Sequence, residues 1–214
     1  MEWRQTEDGS PTLYHPFYRE AYHPREGAVR QAKLLYLEGT WTHLHPFPQV
    51  LEVGFGLGVN FRVTLENVLL RGVRLVYVAV EKEPLPIEAL AFPLGLASDE
   101  AFLELLKRLP GPVEAPWGQF FLLIGDIREV DLPEAFATAI YLDPFSPRVN
   151  PGAWGLEVMQ KLRRAALPGA RLATYSAAGW VRRNLEAAGF RVERIPSPWK
   201  REWTVGTALE TPPG

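Results

Sequence analysis

The sequence predicts an α/β fold built on a doubly wound, mainly parallel sheet, with a small N-terminal lobe beside it. From residue 50 onward, short apolar runs rich in β-branched residues alternate with helical stretches, which is the pattern of repeated strand–helix units. A glycine-rich loop, residues 54–58, follows the first apolar run, and acidic residues follow the later ones. Because ligands bind at the carboxyl ends of the strands in such sheets, we expect a site there.

Each element follows from local signals. Residues 1–45 are rich in aromatics without a clear period, so we expect a small irregular lobe with one helix at residues 28–37, packed on a main domain of residues 46–214. The predicted buried strands are residues 50–53, 75–80, 120–124, 139–142 and 171–175. The predicted helices are residues 59–70, 86–109 with a break near 93–95, 156–166 and 180–188. Residues 191–195 and 204–209 are expected to pair as an antiparallel edge.

Composition excludes several classes of site. The 214 residues include no cysteine, which excludes disulfides, thiolate metal ligands and a cysteine nucleophile, and we expect no metal. The first ten residues contain acids and no apolar core, so they are not a signal peptide. No uncharged apolar run approaches the roughly 20 residues that span a bilayer. We therefore expect a soluble, cytoplasmic protein without a membrane partner.

The charge is unevenly distributed. Residues 145–205 contain eleven Lys or Arg and four Glu, although the whole chain has a net charge of -2. Such asymmetry is typical of a nucleic-acid-binding face on an otherwise acidic protein. It is equally typical of solvated helix surfaces, and the charge pattern alone does not choose between the two.

The glycine loop indicates the kind of ligand. A nicotinamide-binding loop reads G-x-G-x-x-G, but here Val59 occupies the third glycine position and Gly58 comes one residue earlier. Glu52 precedes the loop, and an acid there suits a cationic amino acid moiety better than a phosphate. The alternative is a tight glycine turn without a ligand. The predicted cofactor-binding residues in this segment are Glu52, Gly54, Gly56, Gly58 and Asn60.

Acidic residues follow three later strands. Glu81 lies one strand–helix unit beyond the glycine loop, where a carboxylate accepts hydrogen bonds from ribose hydroxyls. Asp126 and Asp143 follow the next two strands. Each acid alone is typical of a helix cap or a turn, and this reading also applies to Asp143 and Asn150. Glu52, Glu81 and Asp126 together, however, place three acids at three successive strand ends, which favours a nucleoside-type site.

Several segments together resemble one family. The shared motifs are residues 52–61, 80–85, 142–147 with Asn150, Pro151 and Trp154, 172–179 with 181–183, and 200–202. They are similar to the methyltransferase domain of the bifunctional MnmC-type enzymes that modify the wobble uridine of tRNA. The resemblance covers roughly residues 10–209. The chain departs from the family at Leu57, where the family usually has Thr, and at Gln31, where Glu is expected.

The resemblance implies a Rossmann-like fold of the class I methyltransferase type and S-adenosyl-L-methionine as cofactor. It implies conversion of 5-aminomethyl-(2-thio)uridine to the 5-methylaminomethyl form at position 34. Asp126 and Ile127 would meet the adenine, and Asp143 would face the methyl group as the catalytic residue and a cofactor contact. The residues expected to bind the tRNA anticodon loop are Tyr22, Arg148, Asn150, Trp154, Arg182, Arg183, Lys200 and Arg201.

The family's flavin-dependent oxidase domain has no counterpart in these residues, so we expect no flavin and a substrate supplied by upstream enzymes. Two other functions stay open on the sequence. One is a methyl- or aminopropyltransferase acting on a small amine. The other is a non-catalytic module that binds S-adenosyl-L-methionine or RNA.

Overall fold

The computed structural model describes residues 1–199 and 201–210. The N-terminal lobe begins with a three-stranded antiparallel sheet of β1 (Glu2–Gln5), β2 (Pro11–His15) and β3 (Glu20–Ala21). A helix follows, α1 (Ala28–Gln31), which continues without a break as a π-helix (Ala32–Glu38). The predicted helix is therefore confirmed, whereas the expectation that the rest of the lobe is irregular is wrong. The missed strands are short and lack regular alternation of apolar residues.

The main sheet has eight strands in the order β10-β11-β9-β8-β4-β5-β7-β6. Its strands are β4 (Gln49–Val53), β5 (Leu75–Glu81), β6 (Val113–Ala115), β7 (Gly118–Ile124), β8 (Ala137–Leu142), β9 (Ala166–Thr174), β10 (Phe190–Pro196) and β11 (Glu202–Ala208). The central pairs β7–β5, β5–β4, β4–β8 and β8–β9 are parallel, and the outer pairs are antiparallel. The predicted doubly wound, mainly parallel sheet and its antiparallel edge are confirmed.

The helices are α2 (Val59–Arg71), α3 (Ile87–Leu90), α4 (Asp99–Leu106), α5 (Leu156–Ala165) and α6 (Gly179–Ala188), with 3-10 turns at Thr42–Leu44 and Pro151–Trp154. The predicted long helix of residues 86–109 consists of two short ones, because Pro93 and Gly95 interrupt it over more residues than expected. Strand β6 was not predicted, since it is only three residues long.

Two hydrophobic clusters cover the two faces of the sheet. One joins α2 and α4 to the N-terminal lobe, so that Leu35 and Tyr36 pack in the same core as Phe61. The other lies under α5 and α6 around Trp154. The lobe is thus held against the sheet by shared apolar packing, which fixes the position of its residues at the strand ends. Within the described ranges, no helix is long and apolar enough to cross a bilayer.

Candidate active site

The candidate site lies where the strand order reverses. The chain passes from β4 to β5 on one side, whereas β8 pairs with β4 on the other, so a crevice opens beyond Val53 and Leu142. A cavity of about 370 Å³ occupies this crevice, which is within the range of small-molecule sites. Of the predicted site residues, those lining the cavity are Tyr22, Gly54, Gly56, Glu81, Asp126, Ile127, Asp143, Asn150 and Arg201.

The glycine loop is held tightly against the end of β8. Gly54 has a φ of 89°, and a Cβ there would lie 2.5 Å from the carbonyl oxygen of Asp143. Gly56 has a φ of 52°, and a Cβ there would lie 2.9 Å from the Tyr22 ring. Both positions need glycine because the backbone is left-handed and the neighbouring atoms leave no room. The loop therefore presents bare backbone to the cavity.

Asp143 lies in the cavity wall with both carboxylate oxygens hydrogen-bonded. The Tyr36 hydroxyl donates to Oδ1 at 2.7 Å, and Nδ2 of Asn60 donates to Oδ2 at 2.8 Å. Burial raises the pKa of Asp143 from 3.8 to about 7, against the lowering effect of these two hydrogen bonds. The carboxyl group is therefore suited to exchange a proton near neutral pH.

A second carboxyl group lies behind the first. Glu52 is completely buried, and its Oε2 accepts a hydrogen bond of 2.8 Å from the same Asn60 Nδ2. Burial, followed by the proximity of Asp143, raises the pKa of Glu52 well above its usual range. No Lys or Arg forms a salt bridge with Glu52 or Asp143 within the described residues. A pair of buried acids without a cationic partner favours a cationic ligand, which would lower both pKa values.

Glu81 and Asp126 line the side of the cavity next to β5 and β7. Glu81 accepts hydrogen bonds from the Gly56 amide at 2.8 Å and the Glu83 amide at 3.0 Å, and burial raises its pKa. Asp126 forms a two-point ion pair with Arg128, at 3.0 and 2.8 Å, which lowers its pKa. Glu81 thus braces the glycine loop, and Asp126 remains an anionic acceptor.

The N-terminal lobe closes the cavity. Glu20, in β3, accepts hydrogen bonds from the amide of Ser146 at 3.1 Å and from Arg148 at 3.3 Å. The Tyr18 ring stacks on Phe145 with 4.3 Å between centroids, and the Tyr22 ring packs on the same side chain at 4.9 Å. The loop after β8 is therefore held between the sheet and the lobe, and the cavity has an aromatic mouth.

Three of the predicted cofactor residues do not line the cavity. Glu52 and Asn60 are buried behind the glycine loop, and they act on the site through Asp143. Gly58 also lies behind the loop, where a Cβ would meet Phe55 at 2.9 Å and Phe102 at 3.0 Å. Their position in the motif predicted direct contact, but the structure shows that they support the loop from below.

Two of the predicted RNA contacts are corrected by the structure. Trp154 is completely buried and donates its indole N–H to the Phe145 carbonyl at 2.9 Å, so it is not available to stack on a base. Arg182 is only 8% exposed, and its Nε donates to Thr204 at 2.9 Å. Both side chains stabilise the core beside the site.

Three of the remaining predicted RNA contacts are exposed, and Tyr22 and Asn150 are half-buried in the cavity wall. Arg148 and Arg183 are exposed outside the cavity lining, and Arg201 is exposed at the cavity. Lys200 lies outside the described residues.

Sequence reasoning missed several cavity residues. Gln31 lines the cavity from the helix of the lobe, and Phe145 and Tyr175 line it after β8 and β9. Tyr36, on the same helix, is buried behind the cavity and contacts Asp143. Leu35, Tyr36 and Leu37 resemble the family's N-terminal lobe, but that resemblance assigned no role to Tyr36, whose contact with Asp143 joins residues 107 positions apart. The aromatic richness of the lobe was a further signal, and it does not specify which ring turns inward.

The residues present fit S-adenosyl-L-methionine. Gly54 and Gly56 form a cradle of bare backbone that a side chain would fill, and the carboxylates facing the cavity match the cationic and hydroxyl-rich parts of that molecule. The glycine loop would hold the amino acid moiety, and Glu81 and Asp126 the nucleoside. Residues 1–199 and 201–210 contain no group of His, Asp and Glu side chains arranged to hold a metal ion.

Comparison with known proteins agrees with this assignment. Residues 114–208 match a family described as S-adenosyl-L-methionine-dependent methyltransferase. The bifunctional protein MnmC of tRNA 5-methylaminomethyl-2-thiouridine biosynthesis is 37% identical in Cupriavidus necator, over 86% of this chain and 31% of the relative. Its counterpart in Cupriavidus metallidurans is 38% identical, over 92% of this chain and 32% of the relative. The chain thus spans about a third of these relatives.

A solved structure matches over a larger share of its length. MnmC2 from Aquifex aeolicus superposes with a TM-score of 0.83 at 30% identity, covering 99% of this chain and 71% of that one. Spermidine synthase from Thermotoga maritima, with a TM-score of 0.55 at 14% identity, shares the fold alone. The chain therefore belongs to the family of S-adenosyl-L-methionine-dependent methyltransferases that contains MnmC2 and the methyltransferase part of MnmC.

Proposed function

We propose that this protein methylates the amino group of 5-aminomethyl-(2-thio)uridine at wobble position 34 of tRNA, giving the 5-methylaminomethyl form. The observation that carries the proposal is the position of Asp143, whose carboxyl group lies in the cavity wall and has a pKa near 7. The names of the relatives, which contain tRNA 5-methylaminomethyl-2-thiouridine biosynthesis, supply the substrate. We propose that upstream enzymes in the cytoplasm provide the aminomethyl group.

The chemistry of the substrate fits the carboxyl pair. A primary alkylamine is mainly protonated at neutral pH, as lysine is, and the ammonium form has no lone pair to act as nucleophile. S-adenosyl-L-methionine, when bound, supplies a methyl group on a positively charged sulfur. Asp143 would attract the ammonium group, accept one of its protons and orient the nitrogen. Tyr36 and Asn60 fix the rotamer of Asp143, since each donates to a different oxygen.

The mouth of the cavity has groups suited to a flipped base in an anticodon loop. Arg201 lines the cavity, and Arg148 has 77% of its side chain exposed beside it. Phe17 is 81% exposed and packs edge-on against Tyr18 at the aromatic mouth. Cations that hold phosphates and rings that stack on unpaired bases are the usual elements of single-stranded RNA recognition. The tRNA would be positioned by the rim, and only the modified base would enter.

The test is methyl transfer from labelled S-adenosyl-L-methionine to two tRNA samples, one with 5-aminomethyluridine at position 34 and one with unmodified uridine there. We expect label at position 34 of the first tRNA and none in the second. Nucleoside mass spectrometry then identifies the product. Label in neither tRNA, or transfer to free polyamines in preference to the modified tRNA, would contradict the proposal.

A further inference from the structure

Gln31 has a side-chain amide that the protein itself does not satisfy. It is the last residue of α1, only 5% exposed, and it lines the cavity. Within the described residues its amide has no hydrogen-bond partner, whereas the partly buried amide of Gln49 donates to the Phe136 carbonyl at 2.7 Å. An unsatisfied group kept in a cavity wall points to a ligand that completes its hydrogen bonds.

The π-helix explains how Gln31 comes to face the site. In a π-helix, hydrogen bonds join residue i to residue i+5, so residues five apart lie near the same face of the helix. In an α-helix, residues five apart point in different directions. Gln31 and Tyr36 are five apart along this stretch. Gln31 lines the cavity, and Tyr36 contacts the cavity residue Asp143 from behind. Five residues of helix advance at most about 7.5 Å. Gln31 therefore lies about one turn of helix from Tyr36, the residue that hydrogen-bonds Asp143.

Two hydroxyl groups of the cavity wall have partners within the protein. The Tyr175 hydroxyl donates to the Pro144 carbonyl at 2.6 Å, and the Ser146 hydroxyl donates to Glu20. Glu81 and Asp126 are carboxylates, which accept hydrogen bonds but do not donate them when ionised. Gln31 is thus a buried cavity residue that offers both a free donor and a free acceptor side by side.

We propose that the Gln31 amide hydrogen-bonds the imide edge of the target uracil, donating to a ring carbonyl and accepting from N3–H. This inference rests on the proposed function and deepens it by naming the group that reads the base. A uracil entering an aromatic-walled cavity loses water from its carbonyl and N–H groups, and each needs a replacement partner. Gln31 is then a specificity-determining and positioning residue, and Asp143 handles the amine.

The test compares Gln31→Met, which keeps the length of the side chain but removes both hydrogen-bonding groups, with Gln49→Met as the matched control. The substrate is an anticodon stem-loop with 5-aminomethyluridine at position 34. For Gln31→Met we expect kcat/KM for the stem-loop to fall about 10- to 100-fold. We expect the calorimetric Kd for S-adenosyl-L-methionine to change less than twofold, and Tm to stay equal or rise. Gln49→Met should lower Tm and leave kcat/KM unchanged.

A second substrate provides an independent measurement. A stem-loop whose target base is methylated at N3 lacks the imide proton, so the wild-type enzyme should reject it strongly and Gln31→Met should discriminate far less. Equal discrimination in both enzymes, unchanged kcat/KM in the variant, or a parallel loss of S-adenosyl-L-methionine affinity would overturn the role of Gln31. A wild-type enzyme inactive on the unmethylated stem-loop would instead refute the proposed function, and this inference with it. Gln31→Leu repeats the comparison if Gln31→Met does not fold.

Discussion

Asp143→Asn separates proton acceptance from binding. The substitution keeps the size of the side chain, and its carbonyl can still accept the Tyr36 hydrogen bond that spans 2.7 Å in the wild type. It removes the carboxylate that would take the amine proton. Positioned proton acceptors contribute about 10²- to 10⁴-fold to turnover. We therefore expect kcat to fall by about that factor, which is about 3–5 kcal/mol of the barrier, with less than a tenfold change in the Kd for S-adenosyl-L-methionine.

The pH dependence of kcat/KM provides a second test with Asp143→Asn. Because the pKa of Asp143 is about 7, the fraction of enzyme with Asp143 ionised increases as the pH rises through neutrality. The kcat/KM of the wild type should therefore rise over the same range. This limb should be absent in Asp143→Asn. The assay is initial-rate methyl incorporation into the modified tRNA between about pH 5.5 and pH 9.

Stability should change in the opposite direction to activity. Folding raises the pKa of Asp143 from 3.8 to about 7, so the folded protein keeps a proton that the unfolded chain releases. The stabilisation that this proton contributes is complete below pH 3.8 and is lost as the pH rises through about 7. A rise of this size corresponds to about 4 kcal/mol, and water in the cavity should reduce it to about 1–2 kcal/mol.

Asp143→Asn should therefore be at least as stable as the wild type at pH 8 while being nearly inactive. Turnover within tenfold of the wild type at that pH would refute the assigned role. So would a loss of cofactor affinity as large as the loss of turnover, because Asp143 would then be a binding residue.

Three further substitutions, two of them with a matched control, test the hydrogen bond to Asp143, the glycine loop and the buried arginine. Tyr36→Phe removes a hydrogen bond that lowers the pKa of Asp143, so the rising limb of the pH–rate profile should move to higher pH and kcat/KM at pH 7 should fall about tenfold; an unmoved limb would contradict this. Gly54→Ala places a Cβ 2.5 Å from the Asp143 carbonyl oxygen and should cost about 2–4 kcal/mol in urea unfolding, whereas Gly72→Ala, also at positive φ but with open space around it, should cost about 1–2 kcal/mol; equal losses would count against the crowding. Arg182→Ala should destabilise the protein by about 2 kcal/mol because it leaves buried partners unsatisfied, and exposed Arg183→Ala should stay within about 0.5 kcal/mol while weakening tRNA binding; the reverse ranking in thermal unfolding would restore Arg182 as a surface contact.

The sheet was predictable because its signals are local. Buried parallel strands are short apolar runs that end at glycine or an acid, and the strands ending at Val53, Glu81 and Leu142 all have this form. The acids Glu81, Asp126 and Asp143 were placed correctly in one cavity because parallel strands bring their carboxyl ends to the same edge.

The contacts between the N-terminal lobe and the site were not predictable in the same way. Gln31 and Glu20 line the cavity from the lobe, and Tyr36 contacts Asp143 behind it. The hydrogen bonds of Tyr36 with Asp143 and of Glu20 with Ser146 each join residues more than a hundred positions apart. No periodic pattern encodes such a contact, and the π-helix that turns Tyr36 inward has no sequence signature of its own. Trp154 and Arg182 were misplaced for the opposite reason, because their residue types suggest RNA contact and only burial shows that they belong to the core.

The central claim is that Asp143 marks the reacting end of a cavity for S-adenosyl-L-methionine. A crystal structure of the complex with this cofactor tests it most directly. We expect the nucleoside beside Glu81 and Asp126, with the methyl carbon directed toward Asp143 and within about 4 Å of its carboxyl group or of the position that the amine would occupy beside it. A methyl group directed away from Asp143, or a cofactor bound outside the crevice between β4 and β8, would contradict it.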